Sequence, residues 1–563
     1  MKTNRIPSLS LLAALAGTSF GGPLVAQTAQ TQIAPVPSDV APWSCGNIYY
    51  VSIAGSNNNA GTLASPWRTV THAVSQALSQ TSSGNPITIN VRAGSYSAGE
   101  SFPIELPARG IKLQAFEPGV TISGTQFEPV LRVDRAGASN GSCGVTPGTV
   151  IRGLTLRDGI TGIEIDTSLA GGVANTPDRV HVHRCQLVQN RGNGIAIWTR
   201  AGHYSQHVVE ECEIAFNANS NGFGTGVNAL NLGGTSTNLI RANNIHDNEV
   251  GINVFGTPTT TEPRILSNFV RDAEWGIALL DCSARVVNNT QGYGRPFSFN
   301  QPVFGVILAG GGNVVLANNI IWNPPGYAVG AAGVTDLSNG STGVVTQASN
   351  WILSTVGAGN PPQFVAPPTD LHLQASSPLL DAGTNSYVLP TINVQVGPLS
   401  ARADCAVDID GDSRVLDFAQ DTAPDVEIGA DERSDGGGAP VRLSCQQLDA
   451  FGNLHTNGVP TAVNIDLGGM PGDLAVVFFW IPQSVDPIPY HRFTTLGSWS
   501  MPGNNEVRRA GSGVVGTAGT FTVPLVISPA LGLELEVFLQ GATLNGGTGA
   551  GAVSNRLLLE IDE

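Results

Sequence analysis

The stretch Val182-His-Arg-Cys185-Gln-Leu187 returns as Val209-Glu-Glu-Cys212-Glu-Ile214 and as Ile240-Arg-Ala-Asn243-Asn-Ile245. Arg264-Ile-Leu-Ser267-Asn-Phe269, Arg285-Val-Val-Asn288-Asn-Thr290 and Val315-Leu-Ala-Asn318-Asn-Ile320 carry the line onward. The steps from Leu187 to Ile320 are 27, 31, 24, 21 and 30 residues. A second line follows each first: Gly162-Ile-Glu-Ile165, Gly194-Ile-Ala-Ile197, Gly226-Val-Asn-Ala229, Gly251-Ile-Asn-Val254, Gly276-Ile-Ala-Leu279 and Gly305-Val-Ile-Leu308. Each repeat thus holds at least two short strands between Asn- and Gly-rich turns. Strands this short cannot bury an apolar side alone. Stacking successive turns about 4.8 Å apart pairs every backbone group and buries a continuous column. The expected fold is all-β, a right-handed parallel β-helix.

In this alignment Asn243, Asn288 and Asn318 share one column, at a bend where an amide can bond the next rung. Cys185 and Cys212 occupy the same column, expected as stacked buried thiols, with a disulfide as the alternative. Alternating strands begin earlier, at Ile87-Thr-Ile89-Asn-Val91, Ile111-Lys-Leu113, Val120-Thr-Ile122 and Val150-Ile-Arg-Gly-Leu154-Thr-Leu156. Before them Val70, Ala73, Val74, Ala77 and Leu78 follow helical spacing, so a short capping helix should plug the open end.

Composition agrees. Only 12% of the 563 residues are charged, and 69 glycines and 36 prolines exclude long helices. A net charge of −16 argues against nucleic acid or an anionic membrane surface as partner. Residues 1–27 read as a signal peptide, with Lys2 and Arg5 ahead of the apolar run Leu9 to Ala16. No later stretch is long enough for a membrane span. The expected location is secreted or cell surface. The seven cysteines are an odd number, and none has zinc spacing. The candidate pairings are Cys45 with Cys143 and Cys405 with Cys445.

The run from Ile48 through Gly55, Gly61, Pro66 and Trp67 to Thr69 resembles the N-terminal signature of the DUF1565 family. The repeats resemble the right-handed β-helix, pectate-lyase-like superfamily. That resemblance implies an extracellular β-helix, often beside carbohydrate-binding or attachment modules, and no single reaction. Asp370 to Gly383 and Asp408 to Glu432 resemble the choice-of-anchor Q segment that closes such coils. The expected organisation is a β-helix over 45–368, a closing segment over 369–433, a linker over 434–440 and a C-terminal β-sandwich over 441–563.

Three residue sets could carry chemistry. His183, Glu210 and Arg241 follow one another on the first line with Glu211 beside them, a carboxylate–His–Arg group suited to acid–base work or to a solvated ionic ladder. On the second line Glu164, Asn228 and Asn253 face outward, with Asp166, Trp198 and Phe255 two positions on. Aromatic faces with flanking amides and carboxylates suit a sugar, unless loops 199–207 and 256–263 cover them. Asp408, Asp410 and Asp412 invite calcium, although the loop lacks EF-hand spacing. Beyond Lys2, Lys112 is the only lysine, so a lysine base on the middle rungs is excluded. The Asn-Thr-Asp, Asp-Asp and Gly-His-Gly signatures of galacturonan hydrolases are missing, as is the Asp-Pro-His run of alginate epimerases. The expected partner is an extracellular polysaccharide or cell-surface glycan, either processed or bound. The alternative is a non-catalytic adhesion protein with a β-helix stalk and a sandwich for attachment.

Overall fold

A computed structural model describes residues 47–384 outside 81–86, 108–109, 136–147, 167–179, 219–223, 298–299 and three single positions, then 427–430 and strand segments from Leu443 to Asp562. The leader 1–27, Cys45, Cys143, Cys405, the linker 434–440 and Asp408, Asp410 and Asp412 lie outside the described residues.

Strands that alternate apolar and polar residues stack into three parallel sheets of 11, 10 and 9 strands, a β-helix-like arrangement. The chain visits them in turn. One rung runs Val180–His183 in the first sheet, Gln186–Val188 in the second and Asn193–Arg200 in the third, before Val208–Glu210 opens the next. Val182, Leu187, Ile195 and Ile197 point inward and are buried, as are Val209, Ile214 and Val227 one rung on.

Two corners join the first sheet to the second and the second to the third. Each corner has one residue in the left-handed region. At the first these are Arg184, Glu211, Ala242, Ser267, Asn288 and Asn318; at the second, Gln189, Phe216, Asp247, Asp272 and Tyr293. Left-handed backbone costs a non-glycine residue roughly 1–2 kcal/mol. Where the residue after a corner is asparagine, it supplies the compensation. Asn243, Asn268, Asn289, Asn319 and Asn350 form an amide ladder, buried as far as Asn319, each Nδ2 donating to the next Oδ1 at 2.9–3.1 Å. Each Oδ1 also accepts the backbone N–H of the preceding rung, beginning with Cys212. A second ladder at the other corner runs through Asn190, Asn217 and Asn248.

This register corrects the sequence alignment by one residue over three rungs. Ile240 pairs with Ile265, Ile265 with Val286 and Val286 with Leu316. Asn243 therefore stacks with Asn268, Asn289 and Asn319, not with Asn288 and Asn318. Asn-Asn pairs hide the slip, because either amide satisfies the pattern. Asn288 and Asn318 instead hold the corner and face outward, where they meet the closing segment. Asn318 exchanges hydrogen bonds with Thr384, and Gly429 N–H donates to the Asn318 carbonyl. That segment packs on the flank of the second sheet, where Leu371, Leu373, Leu379 and Ile428 cover Phe269, Ile320 and Trp322.

Cys185 and Cys212 are buried free thiols. The capping helix spans Val70–Gln80, with Val70, Ala73, Val74 and Ala77 buried against the first rungs. The Glu100 carboxylate accepts its first two N–H groups at 2.7 and 2.8 Å. Ahead of it, Gly61 has φ +76° and lies under the Trp67 ring, which a Cβ there would meet at 2.7 Å. Gly251 belongs to the glycine column of the second line, where a Cβ would come within 2.5 Å of Val270 in the core. Residues 443–562 contain mainly antiparallel sheets of three and five strands and a two-stranded ribbon.

The ladder makes a test. Asn268→Leu strands the buried Asn243 N–H and leaves its Nδ2 with the Val209 carbonyl alone, and each unsatisfied donor costs about 1–3 kcal/mol. A loss of about 3 kcal/mol is expected in urea unfolding. Ala242→Gly, one residue ahead on a backbone at φ 50°, should change stability by less than about 1 kcal/mol.

Candidate functional site

The first-sheet residues come together as the sequence placed them. His183 pairs in register with Glu210, and Glu210 with Arg241. Glu210 accepts from Arg241 Nε at 2.5 Å and bonds His181 Nε2 at 2.7 Å. Glu211 accepts from Arg184 Nε at 2.6 Å and lies 3.2 Å from His183 Nε2. The rings of His181 and His183 stack 5.3 Å apart. His181 and Arg184 were not singled out from the sequence, although His181 precedes the quoted repeat and Arg184 lies within it.

His183 and Glu210 lie in a buried ionic layer, 6% and 7% exposed, and Glu211 stands at its exposed edge. Burial alone would raise Glu210, but Arg241 and His181 outweigh it and hold the carboxyl well below its usual range. Burial likewise opposes, and Arg184 and His183 reverse, the shift of Glu211, which is also lowered. Burial pushes His183 down to about 4, against the pull of Glu211. At neutral pH both carboxylates are charged and His183 is neutral, so none of the three holds a proton suited to donation. His181, His183 and Glu210 could hold a metal, with donor atoms within 4.8 Å of one another. Arg241 already neutralises the one carboxylate of that set.

The second-line residues form the outer face of the third sheet. Glu164, Ala196, Asn228 and Asn253 stack in one column, and Asp166, Trp198, Leu230 and Phe255 in the next. Asn253 Nδ2 donates to Asn228 Oδ1 at 2.9 Å. Glu164 pairs with Arg132 at 2.7 Å and Asp166 with Arg200 at 2.6 Å. Trp198, Leu230, Phe255, Asn228 and Asn253 all remain partly exposed. The loops have not closed over them. Tyr204–Ser205 and Thr235–Ser236 stack as a small parallel ladder of their own. Ser236 continues it by a bridge to Thr261.

A third group was missed. At the second corner the sequence repeats Asp247-x-Glu249-x-Gly251-Ile252 as Asp272-x-Glu274-x-Gly276-Ile277, one rung later. The repeat was legible, but the glycine lines drew the alignment and the acids ahead of them were not read. Arg271 pairs with Asp272 at 2.8 Å, Arg295 pairs with Asp247, and the Tyr327 hydroxyl donates to Asp272 at 2.6 Å. His246 bonds Asp247 at 2.8 Å. Burial would lower His246, but Asp247 and Glu213 raise it. Glu249 accepts the Gly224 N–H, and Glu274 the Phe297 N–H, each at 3.1 Å. Burial and the neighbouring Glu274 push Glu249 up to about 7.

The model of a protein family of unknown function, DUF1565, matches residues 53–355. The chain belongs to the DUF1565 family. No curated protein matches it. Solved structures that resemble this DUF1565 member include a rhamnogalacturonan lyase, 12% identical over 57% of this chain and 91% of that one, with TM-score 0.30. A glycoside hydrolase is 10% identical over 54% and 96%, with TM-score 0.32. A complex of XylC with xylose is 11% identical over 50% and 76%, with TM-score 0.25. These are distant likenesses. Among the described residues no helix is long and apolar enough to cross a membrane.

The buried histidines set an acid limit on stability. His207 is lowered to about 3 by burial, and its Nδ1 accepts the Val180 N–H at 3.1 Å. Unfolding frees His183 and His207 to take protons near pH 6.5, which the folded chain refuses until about 4 and 3. Their contribution is therefore complete above about pH 6.5 and fades as pH falls below it. Urea midpoints from pH 7.5 to 4.5 should fall, and His183→Gln should flatten the slope. An unchanged slope would contradict the assignment.

Proposed function

We propose that this protein binds a neutral extracellular polysaccharide along the outer face of the third sheet, and is exported to do so. One observation carries the reading: Trp198, Leu230 and Phe255 form a partly exposed apolar column beside the bonded amides Asn228 and Asn253. A pyranose stacks its C–H face on such a column and spends its hydroxyls on the amides and carboxylates at the edge. The net charge of −16 favours a neutral chain over a polyanion. A right-handed coil is the sense that parallel crossovers adopt in nearly all cases. The C-terminal sheets serve this reading as a β-sandwich attachment module.

The second reading is a non-catalytic surface protein, favoured by the ion pairs that occupy His183, Glu210, Glu211 and Arg241. Both readings use the third sheet for contact.

Affinity electrophoresis against xylan, arabinan, galactan and mixed-linkage β-glucan tests the face. Trp198→Ala and Phe255→Ala should each weaken binding to the retained polysaccharide about tenfold, or about 1.4 kcal/mol. Glu211→Gln, on the first sheet, should not. Retention of no polysaccharide, or wild-type retention by both aromatic variants, refutes the proposal.

A further inference from the structure

We propose that the third sheet selects an extended β-(1→4)-linked glycan of equatorially bonded pyranoses, laid along the coil axis with one sugar on each rung. This selection rests on the reading of that sheet as the glycan-binding face, and adds to it a linkage, a direction and a length.

The register sets the direction. Trp198 stands in register with Leu230, Leu230 with Phe255, and Phe255 with Leu280. All four side chains are partly exposed, and they occupy consecutive rungs. The apolar column therefore runs across the strands and repeats at the rung spacing of about 4.8 Å. A ligand lying along one strand would meet the column once. A ligand lying along the coil axis meets it at every rung.

The repeat sets the linkage. A pyranose bonded equatorially at both C1 and C4 advances its chain by nearly its own length, which is close to one rung. The chain is then a flat ribbon, with axial C–H groups on both broad faces and hydroxyls along both edges. An axial bond at either carbon, or a bond through C3, coils the chain and takes it out of step with the rungs. The ribbon's face suits the column, because each apolar side chain lies under one ring.

The amides serve one edge of that ribbon. Asn228 and Asn253 stand two positions ahead of Leu230 and Phe255 on the same strands, and so on the same face. The bond between them engages Asn253 Nδ2 and Asn228 Oδ1. A side-chain amide carries two N–H donors and a carbonyl acceptor. The Asn228 amide nitrogen and the Asn253 carbonyl oxygen are thus left for a ligand, a donor on one rung and an acceptor on the next. Sugar hydroxyls can answer both. Arg200 and Leu232 mark the opposite edge, in register and exposed.

The ends set the length. On the rung before Trp198 the column passes to Asp166, whose carboxylate is engaged by Arg200. On the rung after Leu280 it passes to Ala309, which offers only a methyl group. Four rungs therefore carry the platform, and amides flank the middle two, with Ala196 and Ala278 outside them. Arg132 and Arg200 are paired with Glu164 and Asp166, so neither cation is set aside for a uronate.

Calorimetric titration of the full chain with β-(1→4)-linked xylose and glucose oligomers of two to six units tests the match. Affinity should rise with each added sugar up to four and then level off. β-(1→3)-linked and α-(1→4)-linked glucose hexamers should bind about tenfold more weakly than the β-(1→4)-linked hexamers, or not at all. Leu280→Ser, at a partly exposed position, should end the rise at three sugars and leave shorter oligomers unaffected. Asn228→Ala should weaken the tetramer about tenfold. Levelling short of four, a rise that continues to six, or equal binding of the other linkages overturns the one-sugar-per-rung match and leaves the binding face standing. So does retention of polysaccharides in the affinity gel with no binding of any β-(1→4)-linked oligomer. A rise to four that neither Leu280→Ser nor Asn228→Ala alters overturns the placement on this column. Failure of every oligomer and every polysaccharide to bind overturns both the match and the face.

Discussion

Every rung of this coil must hydrogen-bond to the rung on each side of it, and the rest of the structure follows from that requirement. A parallel coil can satisfy its strands by stacking, but it must also bend twice within a few residues and keep the bent backbone paired. The left-handed residues at Arg184, Glu211, Ala242, Ser267, Asn288 and Asn318 make the first bend. The amides that follow recover the donors the bend would strand. The two devices work together: the corner is strained for a non-glycine residue, and the ladder behind it is what holds the strain in place.

The spacing between the two corners shows how rigid the arrangement is. Gly153 and Asp158, Arg184 and Gln189, Glu211 and Phe216, Ala242 and Asp247, Ser267 and Asp272, and Asn288 and Tyr293 are each five residues apart. Repeat length nevertheless varies from 21 to 31 residues. The variation therefore falls wholly on the arc that carries the third sheet and its return to the first. The partly exposed aromatics, Glu249 and Glu274 lie on that arc, against a spine whose geometry does not change.

Much of this was legible in the residues. The period, the strands, the capping helix and the columns of His183, Glu210 and Arg241 follow from apolar spacing, which burial enforces directly. The register over Ser267, Asn288 and Asn318 was not legible, because Asn-Asn offers two amides and only the inward Val286 and Leu316 decide between them. The state of the first-sheet carboxylates was not legible either. His181 and Arg184 reach Glu210 and Glu211 from neighbouring rungs, across 29 and 27 residues of sequence. The acids at 247, 249, 272 and 274 were visible as a repeat, but the pairing of Asp247 and Asp272 with Arg295 and Tyr327 comes from later rungs.

The constant five-residue step has a consequence for how such a chain can change over generations. Duplicating or deleting one whole repeat among the rungs from Asn243 to Asn319 preserves the first corner and its amide bonds, because each of those rungs carries its own copy of both. Lengthening the variable arc disturbs neither. The molecule can therefore acquire new surface on one side while inheriting the other side unaltered, and selection can act on recognition without reopening the question of whether the chain folds.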